Sequence, residues 1–299
     1  MNSSSPDQSY ARGVAYAVCA GIFLSLGGLI VRYIEAADAW LVLLYRSFAF
    51  FITLLVFMII RDRGQTIQRF RSLRLSDIIV SLALAAGFIF YVLSLYETTV
   101  ANTVLLLSTG PFLAALLAYL VLRERVSTVT WYAMLMAIAG IFVMVSGGLG
   151  TGDWLGIAYA LIAVSAFAVM VVTLRRAGDR DMIAATAMAG LVTAVVCLFF
   201  VDDFEISRND LVLSLLMGSV QVGLGFILIT LASRTVPAAQ VPLLALGETA
   251  LAPLWVWLWV DEQPGFRALL GGAIIIVALL VQGLMGSGTH QQSLQDPGS

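Results

Sequence analysis

Residues 13–18 read Gly-Val-Ala-Tyr-Ala-Val, and residues 156–161 read Gly-Ile-Ala-Tyr-Ala-Leu. The same shift of 143 residues also aligns two charged pairs: Arg32 with Arg175, and Asp38 with Asp181. Alanine and leucine matches arise easily by chance in an apolar chain, but glycine, tyrosine, arginine and aspartate matches in the same order do not. This pattern predicts that the chain contains a duplicated unit.

A shift of 138 residues extends the match into the later part of each unit. The matched pairs are Ala101 with Ala239, Leu105 with Leu243, Leu113 with Leu251, and Glu124 with Glu262. The two glutamates are expected at opposite faces of the membrane, so they are not interpreted as a pair of catalytic carboxylates. Each is interpreted as a residue that ends a helix at a solvated membrane face. The duplicated unit therefore covers about half of the chain.

The composition places the chain in a membrane. Of its 299 residues 61% are hydrophobic and 11% are charged, whereas a soluble domain is about 45–50% apolar and about 25% charged. The apolar runs are continuous and do not alternate, which excludes an outer-membrane barrel, and each is long enough to span about 30 Å of hydrocarbon as a helix. They fall at about 13–34, 37–60, 76–95, 100–122, 127–146, 154–174, 182–200, 210–231, 236–260 and 266–285.

The sequence thus predicts an all-α membrane protein with ten transmembrane helices in two inverted five-helix repeats. Five is odd, so the second unit enters the membrane from the opposite side to the first. The expected organisation is a cytoplasmic N-terminus (1–12), a first repeat (13–148), a second repeat (149–285) and a disordered cytoplasmic tail (286–299). Inverted repeats of this kind are typical of transporters that expose one site alternately to the two sides of the membrane.

Arginine counts predict the orientation. If the N-terminus is cytoplasmic, twelve arginines lie on the inner side, whereas the outer side holds only Arg32, Arg208 and Arg267. Cytoplasmic loops of membrane proteins carry such an excess of basic residues. We therefore expect both termini in the cytoplasm and location in a bacterial-type inner membrane.

Several classes of chemistry lack the residues they need. The chain has no lysine, so a Schiff-base cofactor is excluded, and His290, Cys19 and Cys197 are too far apart for a metal site or a disulfide framework. There is no ATP-binding Gly-x4-Gly-Lys-Ser/Thr loop. The arginine-rich segment 61–74 is interpreted as a topology determinant and lipid contact, and no nucleic acid is expected as a partner. No cofactor, no metal and no enzymatic activity are expected.

Several motifs resemble those of the drug/metabolite transporter superfamily, and specifically its EamA-type ten-helix members. The resemblance covers about residues 10–285, and the residues that carry it are Arg46, Ser94-Leu-Tyr96, Ala101, Leu105, Leu106, Pro111, Glu124, Glu248, Pro253 and Glu262. Members usually have proline directly after the glutamate of helix 9, where this chain has Thr249. With Pro253 four residues later, the kink in helix 9 is expected to be displaced.

The resemblance implies secondary transport of small metabolites, commonly amino acids, through a cavity lined mainly by helices 1–4 and 6–9. We expect an exporter that works by alternating access; an uptake permease or exchanger of the same fold is the alternative. A channel or receptor and an intramembrane enzyme are less favoured, because the first has no need of inverted repeats and the second needs clustered acid and base groups. The expected partners are a small-molecule substrate and the lipid bilayer, with the chain as a monomer or homodimer.

Arg46 and Glu248 are the two ionisable residues predicted to lie deep in the membrane, about 13 Å and 18 Å below the outer surface at 1.5 Å per residue. Charge there is costly and usually functional. One hypothesis makes Glu248 a protonation or substrate-amine site and Arg46 its partner or a carboxylate clamp. The other makes them a fixed ion pair that locks helix 2 to helix 9.

Polar residues at similar depth are further candidates for substrate binding, although Ser and Thr in membrane helices often bond their own backbone instead. They are Tyr91, Gln221, Ser25, Ser94, Ser108, Thr109 and Ser165. A second group comprises candidates for gates and helix kinks, since paired helix breaks often mark a midplane site. That group is Gly110, Pro111, Asn102, Gln240 and Pro253.

Overall fold

The structure is a computed structural model that describes residues 6–62, 64–123, 128–145, 153–177, 181–232 and 247–295. These residues form helices, turns and short connections, and no β-strand occurs in any of the six ranges. For this part of the chain, the predicted all-α class is confirmed.

The helices of the N-terminal half are separated by short connections. Their bounds are α1 (Pro6–Arg32), α2 (Ala39–Asp62), α3 (Thr66–Arg71), α4 (Leu75–Glu97), α5 (Val100–Leu107), α6 (Gly110–Leu117), a π-helical segment (Ala118–Leu122) and α7 (Thr128–Val145). The C-terminal half continues in the same manner. Its elements are α8 (Asp153–Ala177), α9 (Ile183–Cys197), α10 (Arg208–Leu216), a second π-helical segment (Met217–Leu224), α11 (Gly225–Ala232), α12 (Gly247–Val260) and α13 (Phe266–Gln295).

Six stretches are long and apolar enough to cross a membrane. They are Tyr10–Arg32, Ala39–Asp62, Leu75–Glu97, Val100–Leu122, Trp154–Ala177 and Arg208–Ala232. Three shorter apolar helices, Thr128–Val143, Ile183–Cys197 and Phe266–Val281, lie between or after them. The chain is therefore an integral membrane protein built from helices.

Two predicted continuous helices are broken in the structure. The run at 100–122 divides into α5, α6 and a π-helical segment, because Pro111 has no N–H for the preceding turn and instead occupies the first turn of a new helix. The run at 210–231 widens into π-helix over Met217–Leu224. Such π-helical insertions are frequent at functional sites.

The helix ends also differ from expectation. The first helix begins at Pro6, where proline suits the first helical turn. The last helix continues to Gln295, so part of the tail predicted to be disordered from 286 is helical. No proline occurs between Phe266 and Gln295 to stop that helix, and Pro297 comes two residues after Gln295.

Large apolar side chains cover the outside of the bundle. Phe199 is 82% exposed, Phe266 79% and Phe142 75%. A soluble protein rarely exposes so many aromatic and aliphatic groups together, whereas lipid chains cover such a surface without cost. The interior also contains polar side chains, among them Arg46, Gln221 and Ser94, which are almost completely buried.

The helices pack in a small number of pairs. The most extensive contacts join α4 to both α8 and α9, α7 to α13, α2 to α9, and α1 to both α11 and α12. Ion pairs tie the bundle at one end: Arg61 Nη2 lies 2.6 Å from Asp181 Oδ2 and Arg61 Nε lies 2.7 Å from Asp62 Oδ1. This end of α2 is thereby connected to the start of α9.

Gly218 permits the closest backbone approach in the bundle. A Cβ atom at this position would overlap the main-chain oxygen of Arg46 and would come 2.8 Å from Ala49 Cβ. Since Gly218 lies in the second π-helical segment, the missing side chain allows that segment to rest directly on α2 at Arg46.

We expect Gly218→Ala to force α2 away from the π-helical segment and to destabilise the folded protein by about 1–3 kcal/mol, the usual cost of overpacking. Thermal unfolding of the purified protein in detergent measures this change. Gly265→Ala is the matched control, because a Cβ there meets no atom within 4 Å. Equal unfolding temperatures for the two variants would contradict the close approach.

Candidate functional site

A cavity of about 310 Å³ lies inside the bundle between residues of both halves of the chain. Its polar lining consists of Arg46, Tyr91, Ser108, Gln221, Glu248 and Thr249. The rest of the lining is apolar and aromatic: Leu24, Phe88, Val104, Leu107, Pro111, Phe167, Val222, Phe226 and Ile229. A mostly apolar cavity with a few converging polar groups is the usual form of a small-molecule site.

Arg46 is the most unusual residue of this cavity. It is only 2% exposed, and its Nε atom is buried without a hydrogen-bond partner. Within the described ranges no carboxylate lies within 4.0 Å of its guanidinium. A buried positive charge without a counter-ion is costly, so other groups of the cavity must stabilise it.

The face of Phe88 contacts the Arg46 guanidinium instead of a carboxylate. The Arg46 Cζ atom lies 4.9 Å from the centre of the Phe88 ring. Phe50 and Phe226 hold that ring edge to face, with ring centres 5.2 Å and 5.9 Å from it. A cation–π contact stabilises the charge but occupies none of the guanidinium N–H donors, so these stay available to a ligand.

Gln221 lines the cavity and has one hydrogen-bond acceptor without a partner. Its Nε2 atom donates to the main-chain oxygen of Leu24 at 2.9 Å, which fixes the orientation of the amide because that carbonyl can only accept. The Gln221 Oε1 atom is buried without a partner. The amide therefore connects α1 to the second π-helical segment with its nitrogen and leaves its oxygen without a hydrogen bond.

Glu248 lies on the same cavity but is not paired with Arg46. No ion pair within 4.0 Å joins them, and no hydrogen bond of Glu248 to another described residue occurs. The geometry thus differs from the fixed Arg46–Glu248 lock that was one of the two hypotheses. The two opposite charges face one cavity with space between them.

Tyr91 and Ser108 also line the cavity, each at a different wall. Tyr91 is 7% exposed and approaches α1 at Gly27, where a Cβ atom would lie 3.0 Å from both the Tyr91 hydroxyl and Gln221 Nε2. The Ser108 hydroxyl donates to the Leu105 main-chain oxygen at 2.6 Å.

Four other predicted site residues lie outside the cavity lining. The Ser25 hydroxyl donates to the Ile22 main-chain oxygen and accepts from Trp255 Nε1 at 2.9 Å. Ser94 and Thr103 hydroxyls bond each other at 2.8 Å. The Thr109 and Ser165 hydroxyls donate to main-chain oxygens of their own helices, at Leu106 and Leu161. These hydroxyls are satisfied by the protein itself.

The predicted gate and kink residues fall into different environments. Gly110 and Pro111 begin α6 at the break after α5, and Pro111 lines the cavity. Pro253 lies inside α12. Asn102 donates from Nδ2 to the Thr98 hydroxyl at 3.1 Å, close to the start of α5. Gln240 lies outside the described residues.

The phenylalanines of the lining, Phe88, Phe167 and Phe226, were not predicted as site residues. Phe88 precedes Tyr91 by three positions, which places both on one helix face, and this spacing is the signal that could have found it. Val222, Phe226 and Ile229 share a face by the same rule. Within an apolar run, however, a cavity-facing phenylalanine and a lipid-facing one look alike.

The comparisons with known proteins agree with this geometry. The sequence model of the EamA-like transporter family matches residues 11–146 and again residues 154–283. The chain belongs to the EamA-like transporter family. As an EamA-like protein it is a membrane transporter of the drug/metabolite transporter superfamily, and the resemblance predicted from its motifs is confirmed.

Two relatives of this EamA-like chain are informative about its fold and class. It is 24% identical over 204 residues to the uncharacterized transporter YdfC of Bacillus subtilis (strain 168), covering 64% of this chain and 66%, just under two thirds, of that relative. A protein crystal structure matches with a TM-score of 0.67 at 17% identity, over 92% of this chain and 98% of that one. At that identity the likeness concerns the fold alone.

We expect Phe88→Leu to lower the unfolding temperature of this EamA-like transporter, because the cation–π contact with Arg46 is worth about 1–2 kcal/mol at a desolvated site. The loss should shrink when the same change is made in an Arg46→Met background, since only the lost packing then remains. Phe88→Tyr, which retains the ring face, is the control. Equal losses in both backgrounds would contradict a contact between ring and charge.

Proposed function

We propose that this EamA-like transporter is a secondary active exporter of small metabolites such as amino acids, working by alternating access around the cavity. The observation that carries the proposal is that two ionisable side chains of opposite sign, Arg46 and Glu248, line one cavity without an ion pair to each other within 4.0 Å. Uptake or exchange by the same fold is the alternative direction of transport.

A zwitterion fits the charges of the cavity. Its carboxylate would bind the guanidinium of Arg46 in a charge-assisted hydrogen bond, and its ammonium would face the carboxylate of Glu248. The apolar walls, with Phe88, Phe167 and Phe226, suit an uncharged body. Each charge that is unpaired in the empty protein would then gain a partner on binding, which favours amino-acid-like compounds over simple cations or anions.

The helix contacts support two equivalent five-helix units and ten transmembrane helices. We take α5, α6 and the following π-helical segment as the fourth helix, α10 to α11 as the eighth, α12 as the ninth and α13 as the tenth. If each helix is replaced by its equivalent in the other half, the contact between helices 3 and 6 (α4 and α8) becomes the contact between helices 8 and 1, and both contacts occur. The contacts between helices 2 and 7 and between helices 5 and 10 remain the same pairs under this exchange.

Local hydrogen bonds repeat in the two units as well. The Ser81 hydroxyl donates to the Asp77 main-chain oxygen at 2.8 Å, and the Ser214 hydroxyl donates to the Asp210 main-chain oxygen at 2.7 Å. Both aspartates stand at the start of the third helix of their unit. Because each unit has an odd number of helices, equivalent units have opposite orientations in the membrane, which is the symmetry that alternating access uses.

Loss of either cavity charge should abolish transport. We expect Arg46→Gln and Glu248→Gln each to reduce counterflow of labelled amino acids in proteoliposomes by about 100-fold, since each removes a charge-assisted interaction with the substrate. If Glu248 also carries the coupled proton, Glu248→Gln removes the dependence of any residual transport on a proton gradient.

Ser165→Ala is the matched control for these variants, because Ser165 is exposed and bonds only its own helix. It should transport at the wild-type rate. Wild-type rates for Arg46→Gln and Glu248→Gln, with the protein inserted and folded, would refute the cavity as the transport site. Flux that does not saturate and shows no counterflow would indicate a channel instead.

The proposed orientation places both termini in the cytoplasm of a bacterial-type inner membrane. We expect a reporter that is active only outside the membrane to be silent when fused after Ser299 and active when fused in the segment 202–206, between α9 and α10. The physical reason is the excess of arginines on one side. Activity of the C-terminal fusion would reverse the orientation.

A further inference from the structure

Arg32 and Glu262 form a charge pair in which each side chain also bonds the main chain of the first half of the chain. Arg32 Nε lies 2.6 Å from Glu262 Oε2, while its other two nitrogens donate to the main-chain oxygens of Leu95 and Thr98, each at 2.7 Å. Glu262 Oε1 accepts from the main-chain N–H of Val100 at 2.8 Å. Two side chains thereby hold the end of α1, the connection from α4 to α5, and the end of α12.

This arrangement joins the two halves of the chain. Arg32 belongs to the first half and Glu262 to the second, and the two side chains are 22% and 17% exposed. Tyr33, beside Arg32, adds a longer hydrogen bond from its hydroxyl to the Trp259 main-chain oxygen at 3.4 Å. We call the group Arg32, Glu262, Leu95, Thr98 and Val100 the Arg32 clamp.

A buried apolar cluster fills the space between the clamp and the cavity. Val31, Leu95, Val100 and Val256 are at most 5% exposed and belong to one cluster. Tyr91 and Val104 belong to the same cluster and also line the cavity. The cluster is therefore continuous from the clamp to the cavity, and its buried members are apolar apart from the Tyr91 hydroxyl.

Beneath the clamp, α1 and the start of α5 are in close van der Waals contact. A Cβ atom on Gly28 of α1 would overlap the Val100 side chain. The first turn of α5 thus rests against α1 without room for one methyl group. A substrate can pass at this end only if α1, α5 and α12 separate, and that separation must break the clamp.

We propose that the Arg32 clamp is the closed gate of the transporter at the end of the bundle that the proposed orientation places outside, and that its bonds break when the cavity opens there. The proposal rests on the proposed alternating access. It gives Arg32 and Glu262 a role in the transport cycle beyond the helix ending and interfacial solvation predicted for Glu262.

Accessibility of Val31 to a water-soluble reagent tests the gate without a substrate. The protein carries Cys19→Ala, Cys197→Ala and Val31→Cys, is reconstituted in vesicles, and reacts with a membrane-impermeant cationic methanethiosulfonate reagent. We expect slow labelling with the clamp intact and labelling about tenfold faster with Glu262→Gln or Arg32→Gln, the effect of losing one charge-assisted hydrogen bond.

Two further variants separate the gate from general charge or folding effects. Glu205→Gln changes an exposed carboxylate in the connection between α9 and α10. This connection lies at the same end of the bundle as the clamp, because Asn209 bonds the main-chain oxygen of Tyr33. The variant should leave labelling unchanged. Arg32→Lys keeps the charge but cannot reach Glu262, Leu95 and Thr98 together, so its labelling should fall between wild type and Arg32→Gln. Size-exclusion chromatography checks that each variant is folded.

The outcomes divide clearly. Unchanged labelling in folded Glu262→Gln and Arg32→Gln, or an equal rise with Glu205→Gln, overturns the gate. Faster labelling in the clamp variants supports the gate even if no substrate counterflow is found. The missing counterflow would then refute only the proposed transport of amino-acid-like compounds. Faster labelling together with altered counterflow supports both.

Discussion

The buried guanidinium of Arg46, which has no carboxylate of the described residues within 4.0 Å, determines how the cavity is built. Hydrocarbon supplies no water to solvate Arg46, so the protein must stabilise the charge by other means. It does so with the face of Phe88, which Phe50 and Phe226 hold from the sides. Gly218 leaves its position without a side chain so that the π-helical segment can rest on the backbone of Arg46. Three separate helices are thus arranged around one charge.

The charged residues have two structural uses in this chain. At the ends of the bundle they form ion pairs, such as Arg61 with Asp181 and Arg32 with Glu262, that join the two halves. Among the described residues, neither Arg46 nor Glu248 forms an ion pair within 4.0 Å. The contrast follows from solvation: partly exposed pairs at the ends stabilise contacts at little cost, whereas a deep pair must offset the desolvation of both groups.

The sequence was sufficient to predict the helical class, the family and the polar members of the cavity other than Thr249. Arg46, Glu248, Tyr91 and Gln221 were found because deep polar groups are rare in a membrane helix. The same criterion also selected Ser94 and Thr109, which the structure satisfies within the protein, because a hydroxyl can bond its own backbone and sequence does not tell which does so. The aromatic walls were missed, since lipid and cavity favour the same side chains. The π-helical turns were missed too, because helix propensity does not encode the wider turn.

The amide of Gln221 has a consequence for how the cavity could respond to a bound ligand. Its nitrogen is bonded to the backbone of α1 at Leu24, and its oxygen is buried without a partner. Hydrogen bonds in a chain polarise one another, so a ligand that donated to this oxygen would strengthen the bond from the nitrogen to α1. Occupancy of the cavity would then stiffen the junction between α1 and the second half of the chain.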